Sequence, residues 1–345
     1  MKTMYTPQVR IERQKTGVGR LGKQIIAVDL GGTQIRAARY DHELNQLQRE
    51  NTLTQAAAGV QPTINRMKAY IRKVLPAGDE DVLGIGISSP GPLNPFSGVI
   101  VAPPNLPGWL NVPLREIIAA EFKLPVYIGN DANVAALAEA SKGAAQSCRH
   151  VSYITVSTGI GAGIICDGKL LLGRDGLAAE FGHIPIIVDE QTVSSVELEA
   201  AGPAIARRTI GALKSGASSL VSDLVKGDLS RIDAKVVGLA AANGDQLAID
   251  VIAYAGRIIG LGIVSILHLF NPEVIVVGGG VTKTGDLLFA PMRNAVRERV
   301  MDDAYTENLR IEPSALGDDV ALVGAAALVA TNGGNMDISE LDRLF

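Results

Sequence analysis

The chain has 345 residues, enough for two domains with a substantial buried core, and hydrophobic residues make up 47% against 4% aromatics, so its interior must be built from Ala, Val, Ile and Leu. A formal net charge of -4 gives no basic footprint and so excludes nucleic acid as the main expected partner. Two cysteines, Cys148 and Cys166, cannot form a disulfide framework or by themselves a Cys-rich zinc site, and a polar, basic start without an apolar stretch provides no secretion signal, so cytoplasmic residence is expected.

Residues 1–23 read as an N-terminal tail. Within it, Gly17 to Lys23 meets the G-x-x-x-x-G-K spacing, but Gln24 replaces the Ser or Thr of a phosphate loop and a strand follows where a helix should begin. That strand, Ile25 to Val28, ends in Asp29-Leu30-Gly31-Gly32-Thr33, and the chain resumes as an alternating strand from Ile35 to Tyr40. Gly31 and Gly32 permit positive φ and a close backbone approach to a phosphate, and an acid at a strand end suits magnesium; a tight turn in which the Asp bonds backbone amides fits the same residues. An amphipathic helix near Thr63 to Val74 and a strand from Val82 to Ile87 come next. From Ser88 to Pro113 seven prolines exclude helix and sheet interior, and the loop presents Gly91 and Asn105 as candidate contacts for a ligand hydroxyl or as turn residues.

A short helix from Leu114 to Phe122 precedes VYIGNDANVAALAEA, Val126 to Ala140, which reads as strand, corner and helix. Asn130-Asp131 at the corner stands at the carboxyl end of a strand, where α/β proteins bind ligands, and is equally suited to cap the helix. Tyr153 to Lys169 repeats the strand, Gly-rich turn and strand of the beginning, with Thr158 and Gly159 in the turn, which points to a duplicated plan with a nucleotide between the halves. Glu180-Phe181-Gly182-His183 is a poor zinc site and a better polar pair for ligand hydroxyls. The region from Ala204 to Gly244 is expected to be helical around a loop near Ser215 to Ser219. A long helix from Gln246 to Phe270, with Gly256, Gly260 and Gly262 for close packing, is expected to be buried, since its most apolar part, Ile258 to Phe270, is too short to span a membrane. A strand from Val274 to Val277 leads into Gly278-Gly279-Gly280. A strand near Leu309 to Glu312 and a helix from Val320 to Ala330 close the fold, and 332–345 reads as a C-terminal tail.

From about Gln24 to Thr331 this ordered set resembles the ROK (repressor, open reading frame, kinase) sugar kinases, in particular the glucokinase-like members. DLGGTQIR is similar to the family's first phosphate motif, PNLPGW to its sugar loop, GNDANVAALAE to its catalytic motif, VSTGIGAGIICDGK to its second phosphate motif, EFGHI to its hexose signature and VVGGGV to its nucleotide-side glycine motif. The resemblance implies an α/β, actin-like ATPase (ribonuclease H-like) fold: a small domain of 24–130 completed by a helix at about 318–331, a large domain of 131–317, and a cleft between them. It implies Asp131 as general base, Gly91, Asn105, Asn130, Glu180, His183 and Glu197 around the sugar, and Gly31, Gly32, Thr33, Thr158, Gly159, Gly279 and Gly280 around ATP, with Asp29 holding Mg2+. Glu197 is preferred to Glu199 because it lies five residues before Gly202, the spacing of the family's L-E-A-x-A-S-G pattern.

The chain departs from the family in one segment: Ile184 to Val196 carries no cysteine where relatives have a zinc-binding C-x-C-G-x-x-G-C run, so structural zinc is not expected and the orientation of His183 rests on something else. The residues before the first strand do not resemble a helix-turn-helix. The implied activity is ATP-dependent phosphorylation of a hexose, glucose at O6 first. Mannose, fructose, glucosamine and N-acetylmannosamine as substrates, polyphosphate as donor and a non-catalytic sugar-sensing regulator remain as alternatives. The expected partners are sugar and ATP, with no nucleic acid or membrane, in a homodimer or homotetramer.

Overall fold

The computed structural model describes residues 23–78 and 81–339; the N-terminal tail, with the Gly17–Lys23 look-alike, lies outside them except for Lys23, and so do residues 340–345. Strands β1 (Gln24–Leu30), β2 (Gln34–Tyr40) and β3 (Gln46–Leu53) form an antiparallel meander. Helix α1 (Val60–Val74) then crosses to β4 (Val82–Ser89), a two-stranded ribbon of β5 (Leu93–Asn94) and β6 (Val99–Ile100) interrupts the proline-rich loop, and α2 (Leu114–Phe122) returns the chain to β7 (Val126–Asn130). The sheet order is β3-β2-β1-β4-β7, with β1, β4 and β7 parallel. Parallel strands place their carboxyl ends together, so Asp29, Ser88 and Gly129 lie side by side in register along one edge of the cleft.

Helix α3 (Asp131–Lys142) leads to a second sheet that repeats this plan: β8 (Val151–Val156), β9 (Ile160–Cys166) and β10 (Lys169–Leu170) are antiparallel. The hairpin β11 (Pro185–Ile187) with β12 (Val193–Ser195) is followed by helices α4 (Val196–Ala200), α5 (Gly202–Lys214), α6 (Leu220–Leu224), α7 (Ala234–Ala242) and α8 (Gln246–Phe270). Then β13 (Val274–Gly278), α9 (Asp286–Arg299), β14 (Arg310–Pro313) and α10 (Val320–Ala330) complete the order β10-β9-β8-β13-β14. The two strand–glycine–strand hairpins legible in the sequence are therefore equivalent corners of two similar sheets.

Between the sheets run α3 and α10, whose buried faces are largely alanine: Ala135, Ala136 and Ala138 on one, Ala325, Ala326 and Ala327 on the other. A helix covered by structure on both sides must be thin, which is why this core uses alanine rather than aromatic residues. Helix α8 begins where Asp245 accepts the Ala248 N–H and stops at Asn271, which takes the left-handed conformation. It is long and apolar enough to cross a membrane, but 56% of its most apolar window is buried in the protein. Its Gly256 and Gly260 lie against the carbonyls of Leu288 and Met292 on α9, too close for a Cβ.

The strand β3, QLQRENTL, went unread because it is an edge strand whose polar and apolar residues are all partly exposed, so it lacks an apolar signal. The proline-rich stretch stays out of helix and of any sheet interior, as expected; β5 and β6 form a two-stranded ribbon in it, pairing where no proline N–H is required. Residues 332–339 are not a tail: Tyr127 donates to Asn332 Oδ1 (2.7 Å), the Leu170 N–H donates to the Gly334 carbonyl (2.9 Å), Arg149 pairs with Asp337 (2.5 Å) and Ile338 is buried.

Candidate active site

Asp29 stands next to the end of β1, and the Gly31 N–H closes the following turn on the Gln34 carbonyl at 2.9 Å. Neither Gly31 nor Gly32 has a positive φ. Glycine is required at 32 for space: a Cβ there would lie 2.9 Å from the Asn105 carbonyl oxygen. The first turn and the sugar loop are thus in direct contact. Thr54, fully buried, braces the turn from behind through its N–H to the Thr33 carbonyl (2.8 Å) and its hydroxyl to the Gly31 carbonyl (2.6 Å). Gly91 lies at a half-buried bend of the same loop, while Asn105 projects into solvent above buried Leu106 and Trp109.

The Asp29 carboxylate is not a backbone cap, as the simple turn reading had it. Arg36 Nε and Nη2 donate to its Oδ2 at 2.9 and 2.8 Å. Burial nevertheless pushes the Asp29 pKa above the ordinary carboxylate value, against the charge and hydrogen bond of Arg36 and the charge of Arg49.

The Asn130-Asp131 corner does two things at once. Asn130 is the N-cap of α3, its Oδ1 accepting the Asn133 N–H at 2.7 Å, which leaves the amide NH2 able to donate to a ligand. Asp131, the first helical residue, is open to solvent on the cleft side and accepts the neighbouring Ala132 N–H at 2.9 Å. Protein surrounds it on its other sides. That desolvation raises its pKa, the Ala132 N–H opposes the rise, and the negative charges of Asp29 and Glu180 add to it. Its carboxylate therefore feels both halves of the molecule, Asp29 on the first sheet and Glu180 beyond the second.

On the second sheet the turn between β8 and β9 exposes Thr158, and Ser157 N–H closes it on the Gly159 carbonyl at 2.9 Å. Glu197, in the first turn of α4, accepts the Ile160 N–H on Oε2 at 2.8 Å and lies beneath Gly159, where a Cβ would meet the same oxygen at 2.7 Å. The short turn Phe181–His183 packs on this arrangement, with Gly182 against the Ile160 carbonyl. Phe181 is buried against α8 at Gly262, which leaves room for its ring, and this anchor directs Glu180 and His183 outward, exposed and without a side-chain hydrogen bond to the described residues. Glu199 is held elsewhere: it accepts Ser194 (2.8 Å), Arg208 (2.9 Å) and Tyr254 (2.9 Å). Partial burial works to raise its pKa, but those three hydrogen bonds together lower it. Of the two acids, Glu197 is the one on the cleft side. Gly279, with φ of 95° and a Cβ position 2.3 Å from the Val156 carbonyl, brings bare backbone beside the same turn; Gly280 is open.

Cavities of ≈ 360 Å³ near Cys148, Tyr305 and Arg310 and ≈ 650 Å³ near Ser218 and Asp245 are lined by none of these residues. Sequence reasoning passed over Arg36 and Thr54. Arg36 was visible two residues into a strand, in register with Asp29, but its pairing required knowing that β1 and β2 adjoin at those residues. Among the described residues no group of three or more His, Cys, Asp or Glu side chains gathers as a metal cage.

Comparison with known proteins gives a consistent set. The sequence profile of the ROK family matches residues 25–332. The chain is 32% identical over 311 residues to the glucokinase of Thermotoga maritima, covering 89% of this chain and 97% of the relative. It is 33% identical over 275 residues to the xylose repressor of Caldicellulosiruptor bescii, covering 75% of this chain and 65% of the repressor. The crystal structure of a ROK family glucokinase from Streptomyces griseus in complex with glucose and AMPPNP is similar with a TM-score of 0.72 and 31% identity, over 88% of this chain and 98% of that one.

Proposed function

The chain belongs to the ROK family, with the actin-like fold of its glucokinase structures, and from that premise we propose that it is an ATP-dependent hexose kinase that phosphorylates glucose at O6. The observation that carries this reading is the placement of Asp131 between two equivalent glycine turns. One turn, Gly31–Thr33, adjoins Asn105; the other, Thr158–Gly159, adjoins Glu197. A sugar held by Asn105, Asn130, Glu180, His183 and Glu197, beside the Gly91 backbone, would set a hydroxyl at Asp131. The backbone N–H groups of both turns, with Gly279 and Gly280 on the nucleoside side, would hold the phosphates.

The chemistry then runs as one displacement. Asp131 accepts the proton of the sugar hydroxyl as its oxygen bonds to the γ-phosphorus, and the bond from that phosphorus to the β–γ bridging oxygen breaks with release of ADP. A raised pKa makes Asp131 a stronger base than an ordinary carboxylate. The donor set suits magnesium, which takes one or two carboxylates and the substrate's phosphates rather than a protein cage; Asp29 would hold it, and it would neutralise charge on the transferring phosphoryl group.

Cytoplasmic residence and a dimer or tetramer belong to the same proposal. The second reading, a sugar-responsive regulator without turnover, is favoured by the similarity to the xylose repressor. A panel of glucose, mannose, fructose, glucosamine and N-acetylmannosamine, each with ATP and with polyphosphate, decides between them through kcat/KM. Sugar-dependent ADP release with glucose as best substrate is the expected result. Sugar binding without ADP release would establish the regulator, and turnover with polyphosphate alone would change the donor.

A further inference from the structure

Arg36 makes three directed bonds with one guanidinium. Nε and Nη2 converge on Asp29 Oδ2, leaving Oδ1 without a hydrogen bond among the described residues, and Nη1 donates to the Asp318 carbonyl at 2.6 Å. Asp318 belongs to the connection that leaves β14 of the second sheet and enters α10 against the first. Arg49 on β3 grips the same connection through Asp319 at 2.6 Å. Its other end is held from α3: the fully buried Glu139 accepts the Ser314 hydroxyl (2.5 Å) and the N–H groups of Ala315 (3.1 Å) and Leu316 (3.2 Å). Since α3 begins at Asp131, the two cleft carboxylates are tied, one through Arg36 and one through α3, to a single segment, 314–319.

We propose that Arg36 is a positioning residue for the metal–nucleotide step: it fixes Asp29 with Oδ1 turned to the incoming divalent cation, and it ties that orientation to the connection between the sheets. The proposal rests on the kinase reading of the cleft. It requires the planar fork of arginine, because the ammonium of lysine could neutralise Asp29 but could not hold one carboxylate oxygen from two nitrogens and a carbonyl from the third.

The test compares wild type, R36K and R36A. Mn2+ binding in the presence of ADP is read by the electron paramagnetic resonance of free Mn2+, and glucose binding by the fluorescence of Trp109, the one tryptophan of the chain, which is buried in the same loop as Asn105. Both variants are expected to bind Mn2+–ADP about 10–100-fold more weakly, the loss typical of removing a group that orients a metal ligand, with the glucose response retained and with millimolar guanidinium restoring part of the R36A loss. An R36K variant equal to wild type would reduce Arg36 to a counter-charge and overturn the proposal. So would loss of the glucose response in step with the metal, which marks a general structural role. The Mn2+ measurement needs no turnover, so its failure is separate from that of the kinase reading, which the hexose panel tests.

Discussion

Replacing Asp131 by asparagine removes the proposed base while keeping almost everything the structure asks of the residue. The side chain accepts the Ala132 N–H, which an amide oxygen can also accept, and Asn130 continues to cap α3. A positioned general base contributes about 10²–10⁴-fold to a rate, which at 1.36 kcal/mol per decade is roughly 2.7–5.4 kcal/mol of transition-state stabilisation. The kcat of Asp131→Asn should fall by that factor. Stability should move the other way. The folded state raises the pKa of Asp131, so the ionised carboxylate costs folding free energy, starting above the unfolded value and reaching its full extent above the folded one. At neutral pH the variant should therefore melt no lower than wild type, and at acid pH the difference should vanish. ADP release in a coupled assay, glucose titration by Trp109 fluorescence and thermal melting at two pH values measure all three. A variant that keeps more than about a tenth of wild-type kcat, against the hundredfold minimum expected of a base, would show that Asp131 does not take the proton. A loss of glucose binding equal to the loss of rate would show that it holds the sugar instead.

The acid pair of α4 and the charge of Glu180 provide two further checks. Glu197→Gln should raise the KM for sugar by about tenfold, equivalent to ~1.4 kcal/mol, because the Ile160 N–H loses a charged acceptor; Glu199→Gln, disturbing only the contacts with Ser194, Arg208 and Tyr254, should lower the melting temperature and leave KM near wild type, and the reverse pattern would transfer the sugar role to Glu199. In Glu180→Gln, removing a negative charge that lifts Asp131 should move the acid limb of kcat to lower pH, since the base then stays ionised further down; a limb that stays in place or moves up would disprove the electrostatic link across the cleft.

How much of this was legible beforehand depended on the range of the interactions. The Asn130 cap, the limits of α8 between Asp245 and Asn271 and both strand–glycine–strand corners are set by residues within a few positions of each other, and each was read close to its observed place. The order of the six motifs likewise came from sequence. The positive φ expected at Gly32 is not adopted; the space it leaves for Asn105 was not legible, because that neighbour is distant in the chain. The edge strand β3 and the packed residues 332–339 were missed for the same cause: their partners stabilise them, and their own pattern does not announce it.

By itself, then, the sequence determined the duplicated α/β plan and a short set of acids, amides and glycines able to handle a hexose and a polyphosphate. Spacing to Gly202 favoured Glu197 over Glu199, and only the tertiary structure supplied the physical difference between them: Glu197 lies beneath the second turn, and Glu199 is occupied by Ser194, Arg208 and Tyr254. It alone joined Asp29 to Arg36 and Arg36 to Asp318, 282 positions away. Local propensity acts over a turn or two of chain, whereas the position and charge state of a carboxylate depend on whatever the fold packs around it.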